Sequence, residues 1–351
     1  MEIFDRPAPD LDLANELDVA GEARLYRAMR WFWHPVLYAC ELTDSPQRAV
    51  LLGEPLVLVR LAGEVRCFAD LCVHRGTALS LGWVEDDQIR CAYHGWAYGP
   101  DGVCTKIPSR FGDNIPRRAR LKPYRVAEAS GLIWACLEDE PVYPIPEFPE
   151  WSDPGYRIIP IPAYDWSCSA PRRLENFVDF AHFAWVHEGL LGDRSHPEVP
   201  EHEVWRDGPE LRFSQRVVEP SRGATKDQLA LEEELLEVEN TYRLAMPISI
   251  YLNRCFPGDN HYILTMSASP MAPKRTRSFS FIGRNYALNQ PDEDFVRFEQ
   301  VILDQDRPVV ESQRPEELPI DLSAELHIRG VDRVSLEYRK WLSQVARGDV
   351  P

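Results

Sequence analysis

Two short segments each carry one thiol and one imidazole. LCVHRG sets Cys72 and His74 one residue apart, and CAYHGW sets Cys91 and His94 two residues apart, with sixteen residues between the pairs. Two cysteines and two histidines are a donor set for tetrahedral zinc, but zinc modules more often present paired cysteines or paired histidines at longer local spacing. A 2Fe-2S cluster with two thiolates on one iron and two imidazoles on the other needs this mixed set, and two short loops facing each other supply it. The spacing therefore points to electron transfer, with Gly76, Gly95 and Trp96 beside the ligands. Cys67 lacks a following C-x-x-C, and Cys40, Cys104, Cys136, Cys168 and Cys255 have no close cysteine or histidine neighbour, so all six read as packing.

A second donor group lies in ENFVDFAHFAWVHEG, where Asn176, Asp179 and His182 recur at three-residue spacing along one face of a helix. His187 follows five residues after His182 and joins that face only through a bulge or an unwound turn, for which Gly189 supplies a local stop. Two histidines and one carboxylate are the ligand set of non-haem iron that binds dioxygen, because three ligands on one side leave positions open. On spacing alone Asp179, Asp304 and Asp306 compete for the carboxylate position. Phe177 and Trp185 flank the histidines and His261 sits on an expected strand; with Asn176 they are the candidates for substrate contact.

Elements must hold these groups in place. AVLLGEPLVLVRLAGEVRCFAD alternates apolar and polar positions between glycines, and the pattern continues through SGLIWACLED with a Pro-Asp-Gly turn at 100–102, so residues 1–140 read as an all-β cluster domain with an N-terminal extension. The proline-rich stretch 141–154 reads as a linker. Residues 155–351 read as a catalytic domain: one helix over RRLENFVDFAHFAWVHEGLLG, strands in LRFSQRVV, YRLAMPISIYL, HYILTMSAS and SFSFIGRNYA, then a helical DEDFVRFEQVILDQD. The fold class is α+β, an N-terminal β domain followed by an antiparallel sheet covered by helices. A loop from Gly189 to Glu203 is expected to follow the iron helix and gate the pocket, with His196 and His202 solvated.

A net charge of -17 opposes nucleic-acid binding. MEIFDRPAPDLDLANELD lacks a signal-peptide pattern and no apolar run is long enough to span a bilayer, so a cytoplasmic protein without a membrane partner is expected. No G-x-G-x-x-G fingerprint appears, so electrons are expected from a separate NAD(P)H-dependent reductase or ferredoxin. The basic run RRARLKPYR (Arg117, Arg118, Arg120, Lys122, Arg125) is either a docking face for that donor or a solvated loop.

The order C-x-H, C-x-x-H, N-x-x-D-x-x-H-x4-H resembles the oxygenase components of Rieske non-haem iron oxygenases over most of the chain, and the QDRPVVESQ segment resembles the branch with vanillate and dicamba demethylases. That resemblance implies a 2Fe-2S cluster on Cys72, His74, Cys91 and His94, and mononuclear Fe(II) on His182, His187 and Asp306, with Asp304 as runner-up. It also implies that Asp179 bridges His182 to the cluster ligand His94 of a neighbouring subunit in a head-to-tail homotrimer. The activity implied is hydroxylation or O-/N-demethylation of a small aromatic or heterocyclic compound with O2. Cis-dihydroxylation is the enzymatic alternative, and a pure electron carrier or a zinc-binding module the non-enzymatic ones.

Overall fold

The structure, a computed structural model, describes residues 21–110, 114–220 and 235–349; the acidic start of the chain lies outside them. The chain divides into two compact units, Met29–Ile145 and a second formed by Gly21–Ala28 with the chain from Pro146 onward. One boundary between the units lies between Ile145 and Pro146. The helix α1 (Gly21–Ala28) counts with the later unit because it packs on the last helix and its Glu22 carboxylate accepts the Ile320 N–H at 3.2 Å.

In the unit 29–145 the alternating pattern becomes ten short strands, all paired antiparallel. They are β1 (His34–Tyr38), β2 (Gln47–Leu51), β3 (Glu54–Leu61), β4 (Glu64–Ala69), β5 (Trp83–Glu85), β6 (Gln88–Arg90), β7 (Ala97–Tyr98), β8 (Cys104–Lys106), β9 (Pro123–Ala129) and β10 (Leu132–Cys136). They form a six-stranded sheet in the order β1-β10-β9-β4-β3-β2 and a four-stranded sheet β5-β6-β7-β8. Leu52-Gly53 and Ala62-Gly63 adopt positive φ at both turn residues, the geometry whose twist matches that of the flanking strands. The core joins Val57, Val59, Phe68, Ile89 and Tyr98 to Cys72 and Cys91, so the two cluster loops are rooted in packed side chains.

The later unit is a seven-stranded antiparallel sheet, β11-β17-β16-β15-β14-β13-β12. Its strands are β11 (Arg157–Trp166), β12 (Glu203–Asp207), β13 (Glu210–Pro220), β14 (Leu235–Ala245), β15 (Ser249–Phe256), β16 (Asn260–Ala272) and β17 (Arg275–Arg284). YRLAMPISIYL is a hairpin rather than one strand: Ala245 pairs with Ser249 across a turn containing Pro247, which has no ladder N–H to donate. Helices α2 (Ala170–Phe177), α4 (Asp292–Ser312) and α5 (Arg333–Ala346) accompany the sheet, with the single turn α3 (Phe183–Val186) between α2 and β12. The apolar repeat of α4 buries Phe295, Glu299, Leu303, Asp306 and Val310 on one stripe, and Asp292, Glu293 and Asp294 in its first turn complement the helix dipole.

The expected single helix from Arg172 to Gly192 is broken. Ser169 caps α2 by accepting the Arg172 N–H, but α2 ends at Phe177. Asp179 then accepts the Ala181 N–H at 2.9 Å through its own carboxylate, a local bond that competes with helix continuation. Asp179 therefore sits in a turn, not on a helix face with Asn176. The start of this segment is pinned by a buried ion network: Arg339 of α5 donates to Glu175 at 2.5 and 2.7 Å and to Glu325 at 2.6 Å, and Arg172 donates to Glu325 at 2.6 Å. Among the described residues no helix is long and apolar enough to cross a membrane.

Candidate metal centres

The two cluster loops share one local construction. The Gly76 N–H bonds the Cys72 carbonyl and the Gly95 N–H bonds the Cys91 carbonyl, each at 2.9 Å, with both glycines at positive φ. The thiols of Cys72 and Cys91 are buried together, while His74 and His94 project outward with their Nδ1 atoms 3.2 Å apart. Thiols therefore pair with thiols and imidazoles with imidazoles. A single tetrahedral ion at bond lengths of about 2.0–2.3 Å gathers all its donors within roughly 4 Å of each other. Among the described residues no three of these four donors fall within 4.8 Å of one another, a separation that suits two irons better than one. Trp96 stacks on His74 with ring centroids 4.6 Å apart, and the Tyr98 hydroxyl lies 3.1 Å from the Cys72 sulfur. Tyr98 was not legible as a site residue, although a hydrogen bond to a cluster sulfur tunes its potential.

The second donor group closes up tightly. His182, His187 and Asp306 offer ligand atoms that all lie within 4.8 Å of one another. Asp306 Oδ1 is 3.4 Å from His182 Nε2 and 3.0 Å from His187 Nε2. His187 Nε2 and Asp306 Oδ1 are nonetheless buried without any hydrogen-bond partner, so lone pairs converge on a space that a cation would fill. His187 Nδ1 donates to Gln305 Oε1 at 2.8 Å, which leaves Nε2 as the free lone pair. Burial alone would lower the pKa of His182, but the facing carboxylates of Asp179 and Asp306 raise it to about 9. Burial would raise Asp306; His182, His187 and the Arg173 charge hold it well below the usual carboxylate range. The orphaned atoms and the two-imidazole, one-carboxylate chemistry both fit iron(II) with open positions.

The elements explain the convergence. α3 is one turn long, with His182 before it and His187 after it, so both imidazoles hang from its ends. Gly192 crosses α3 so closely that an added Cβ would stand 2.5 Å from the Ala184 nitrogen. Phe180 packs on Phe213 and Tyr242 of the sheet and on His202, which is buried rather than solvated because it closes this aromatic cluster. Asp304, the competing carboxylate, is exposed and accepts from Gln300 at 2.9 Å.

The remaining expected residues scatter. Asp179 Oδ2 lies 3.5 Å from His182 Nδ1, and its side chain is 41% exposed at an open polar pocket of about 390 Å³ that Asn176, His182, Asp306, Gln313 and His327 also line. Asn176 accepts from Arg173 at 2.8 Å, and Phe177 closes α2 half buried. Trp185 is 58% exposed under the Arg194 guanidinium, away from the donor group. His261 bonds Asn253 and Asp259, each at 2.9 Å, and by strand alternation faces away from Tyr262, which reaches Glu299 of α4. Cys255 does have a histidine neighbour, His261, across the hairpin.

Residues 32–117 match the model of the Rieske [2Fe-2S] domain, and residues 166–348, more than half of the chain, match the vanillate O-demethylase oxygenase C-terminal domain. The chain belongs to the Rieske non-haem iron oxygenases. It is 34% identical to the methylxanthine N3-demethylase NdmB of Pseudomonas putida over 91% of this chain and 90% of that protein. The structure of Pseudomonas putida CBB5 NdmA with caffeine superposes with a TM-score of 0.82 at 31% identity, covering 93% and 96% of the two chains. Dicamba monooxygenase bound to dicamba, at 22% identity and a TM-score of 0.76, shares the fold. This oxygenase is thus an oxidoreductase that acts with O2 on a small organic substrate, carries a 2Fe-2S cluster and a mononuclear iron, and draws its electrons from a separate reductase.

Proposed function

We propose that this oxygenase removes a methyl group from the nitrogen of a small N-methylated heterocycle, with His182, His187 and Asp306 as the iron ligands and Cys72, His74, Cys91 and His94 as the cluster ligands. The observation that carries the reading is the convergent donor triad in a chain that matches methylxanthine N-demethylases over nearly its whole length. When bound, the iron activates dioxygen so that one oxygen atom enters a C–H bond. The N-methyl compound, one dioxygen, two electrons and two protons give the N-hydroxymethyl compound and one water. That carbinolamine then breaks its C–N bond, releasing formaldehyde and leaving an N–H on the ring. Gln305 keeps His187 in the tautomer that ligates, and the two imidazoles with one carboxylate would hold the iron.

Asp179 is the positioning residue for electron entry, beside His182 at the mouth of the polar pocket. We assign the group that enters this mouth to His94 of a second copy in a homotrimer; Leu71, Val73 and Tyr93 around the cluster loops are exposed apolar side chains suited to such a contact. The exposed Arg117, Arg118 and Arg120 suit an acidic donor protein in the cytoplasm. Turnover of a compound panel with a surrogate reductase, scored for formaldehyde, hydroxylated product and diol, tests the reading. Formaldehyde from N-methyl rings supports it; diol without formaldehyde replaces it with dihydroxylation.

A further inference from the structure

The interior of the later unit holds a polar row that the iron chemistry does not use. Cross-strand pairing sets Gln215 of β13 opposite Asn240 of β14, Asn240 opposite Arg254 of β15, and Arg254 opposite Tyr262 of β16. Directly paired residues share a face of the sheet. This is the face packed under α4, because the Tyr262 hydroxyl donates to Glu299 at 2.6 Å. It is also the face that holds the iron segment, since Tyr242 packs on Phe180, two residues before His182. Glu299 lies two helical turns before Asp306 on the buried stripe of α4, about 10 Å along the axis.

The surroundings are apolar: Trp166, Phe256, Tyr286, Phe295 and Leu303 pack in the same cluster. Polar groups in such surroundings cost stability unless they are satisfied, and this row is not fully satisfied. Gln215 is 6% exposed, bonds the Tyr242 hydroxyl at 3.4 Å through Nε2, and leaves its buried Oε1 without a hydrogen-bond partner. Arg254 donates to Asn240 at 3.2 Å. Burial pushes the Glu299 carboxyl up, toward the neutral acid that donates as well as accepts. Apolar walls with a few convergent polar groups are the make-up of a small-molecule site.

We propose that Gln215, Asn240, Arg254, Tyr262 and Glu299 form the polar wall of the substrate pocket, and that it reads an uncharged ring carrying amide N–H and C=O groups rather than an aromatic carboxylate. The Gln215 oxygen calls for a donor, which a carboxylate lacks, and the arginine and the acid offer donors to ring carbonyls. This specificity rests on the demethylase reading together with a substrate lying between α4 and the sheet.

The test uses holoenzyme with a surrogate reductase and three probes: theobromine, which has a ring N–H, caffeine, which has none, and dicamba as the aromatic acid. Theobromine is expected to bind and turn over with the lowest KM and dicamba to do neither. Gln215→Leu should raise the theobromine KM about tenfold and erase its advantage over caffeine, with iron and cluster content unchanged. Glu299→Leu should raise KM for both xanthines, and Glu299→Gln, which keeps a donor, should recover most of the loss. Dicamba as the better ligand, no binding of either xanthine, or unchanged KM in fully loaded Gln215→Leu and Glu299→Leu proteins overturns the proposal. Formaldehyde release with unaltered KM leaves demethylation standing without this wall. Hydroxylation without formaldehyde, but with the KM changes, keeps the wall and removes demethylation.

Discussion

At the scale of single residues, the proposed ligands were legible wherever one short loop carries them. Cys72 with His74, Cys91 with His94, and His182 with His187 each belong to one local segment, so spacing alone suggested them. The carboxylate was not legible in this way: Asp304 and Asp306 are two residues apart, and the choice depends on which side of α4 faces the histidines. Gln305 escaped notice because its role is to hold His187 rather than to ligate. Gln305→Leu should weaken iron(II) binding by about 10- to 100-fold while leaving the cluster absorbance unchanged, as removal of outer-shell partners does elsewhere; equal affinity in a titration would contradict that role. His182 gives a pH dependence whose sign is fixed. Its pKa is raised to about 9, so below that pH the iron-free protein holds a proton that iron(II) must displace. Apparent affinity should climb about tenfold per pH unit between 7 and 9 and then level, with about one proton released per iron at pH 7. A flat profile over that range would disprove the competition.

At the scale of elements, strands and the long helix followed from periodicity, whereas the break after α2 did not. Periodicity through Asn176, Asp179 and His182 predicts a continuous helix, and the bond from Asp179 to the Ala181 N–H overrides it. The polar row was equally hidden, since Gln215, Asn240, Arg254 and Tyr262 meet only through register across four strands. One glycine governs the local geometry. Gly192→Ala would drive a methyl group into the α3 backbone at 2.5 Å, which must shift the turn that carries His182 and His187. Purified Gly192→Ala protein should retain its cluster spectrum and lose most of its mononuclear iron; normal iron content would show that the loop moves aside without effect.

At the scale of the whole molecule, electrons must reach an iron held by one unit from a cluster held by the other kind of unit, and Asp179 is the group assigned to that junction. Its replacement should separate binding from turnover. Asp179→Asn keeps shape and removes charge, so both centres should stay loaded while cluster reoxidation with substrate and dioxygen slows at least tenfold, as for partners of metal ligands; wild-type rates in rapid mixing would refute the bridging role. Beneath all of this lies the claim that the chain holds a two-iron cluster and one further iron on His182, His187 and Asp306. Iron and labile-sulfide analysis of the wild type, Asp306→Ala and Asp304→Ala, purified side by side, tests it most directly. About three irons and two sulfides are expected in the wild type and Asp304→Ala, and about two irons with two sulfides in Asp306→Ala. Zinc without sulfide, or undiminished iron in Asp306→Ala, would contradict it.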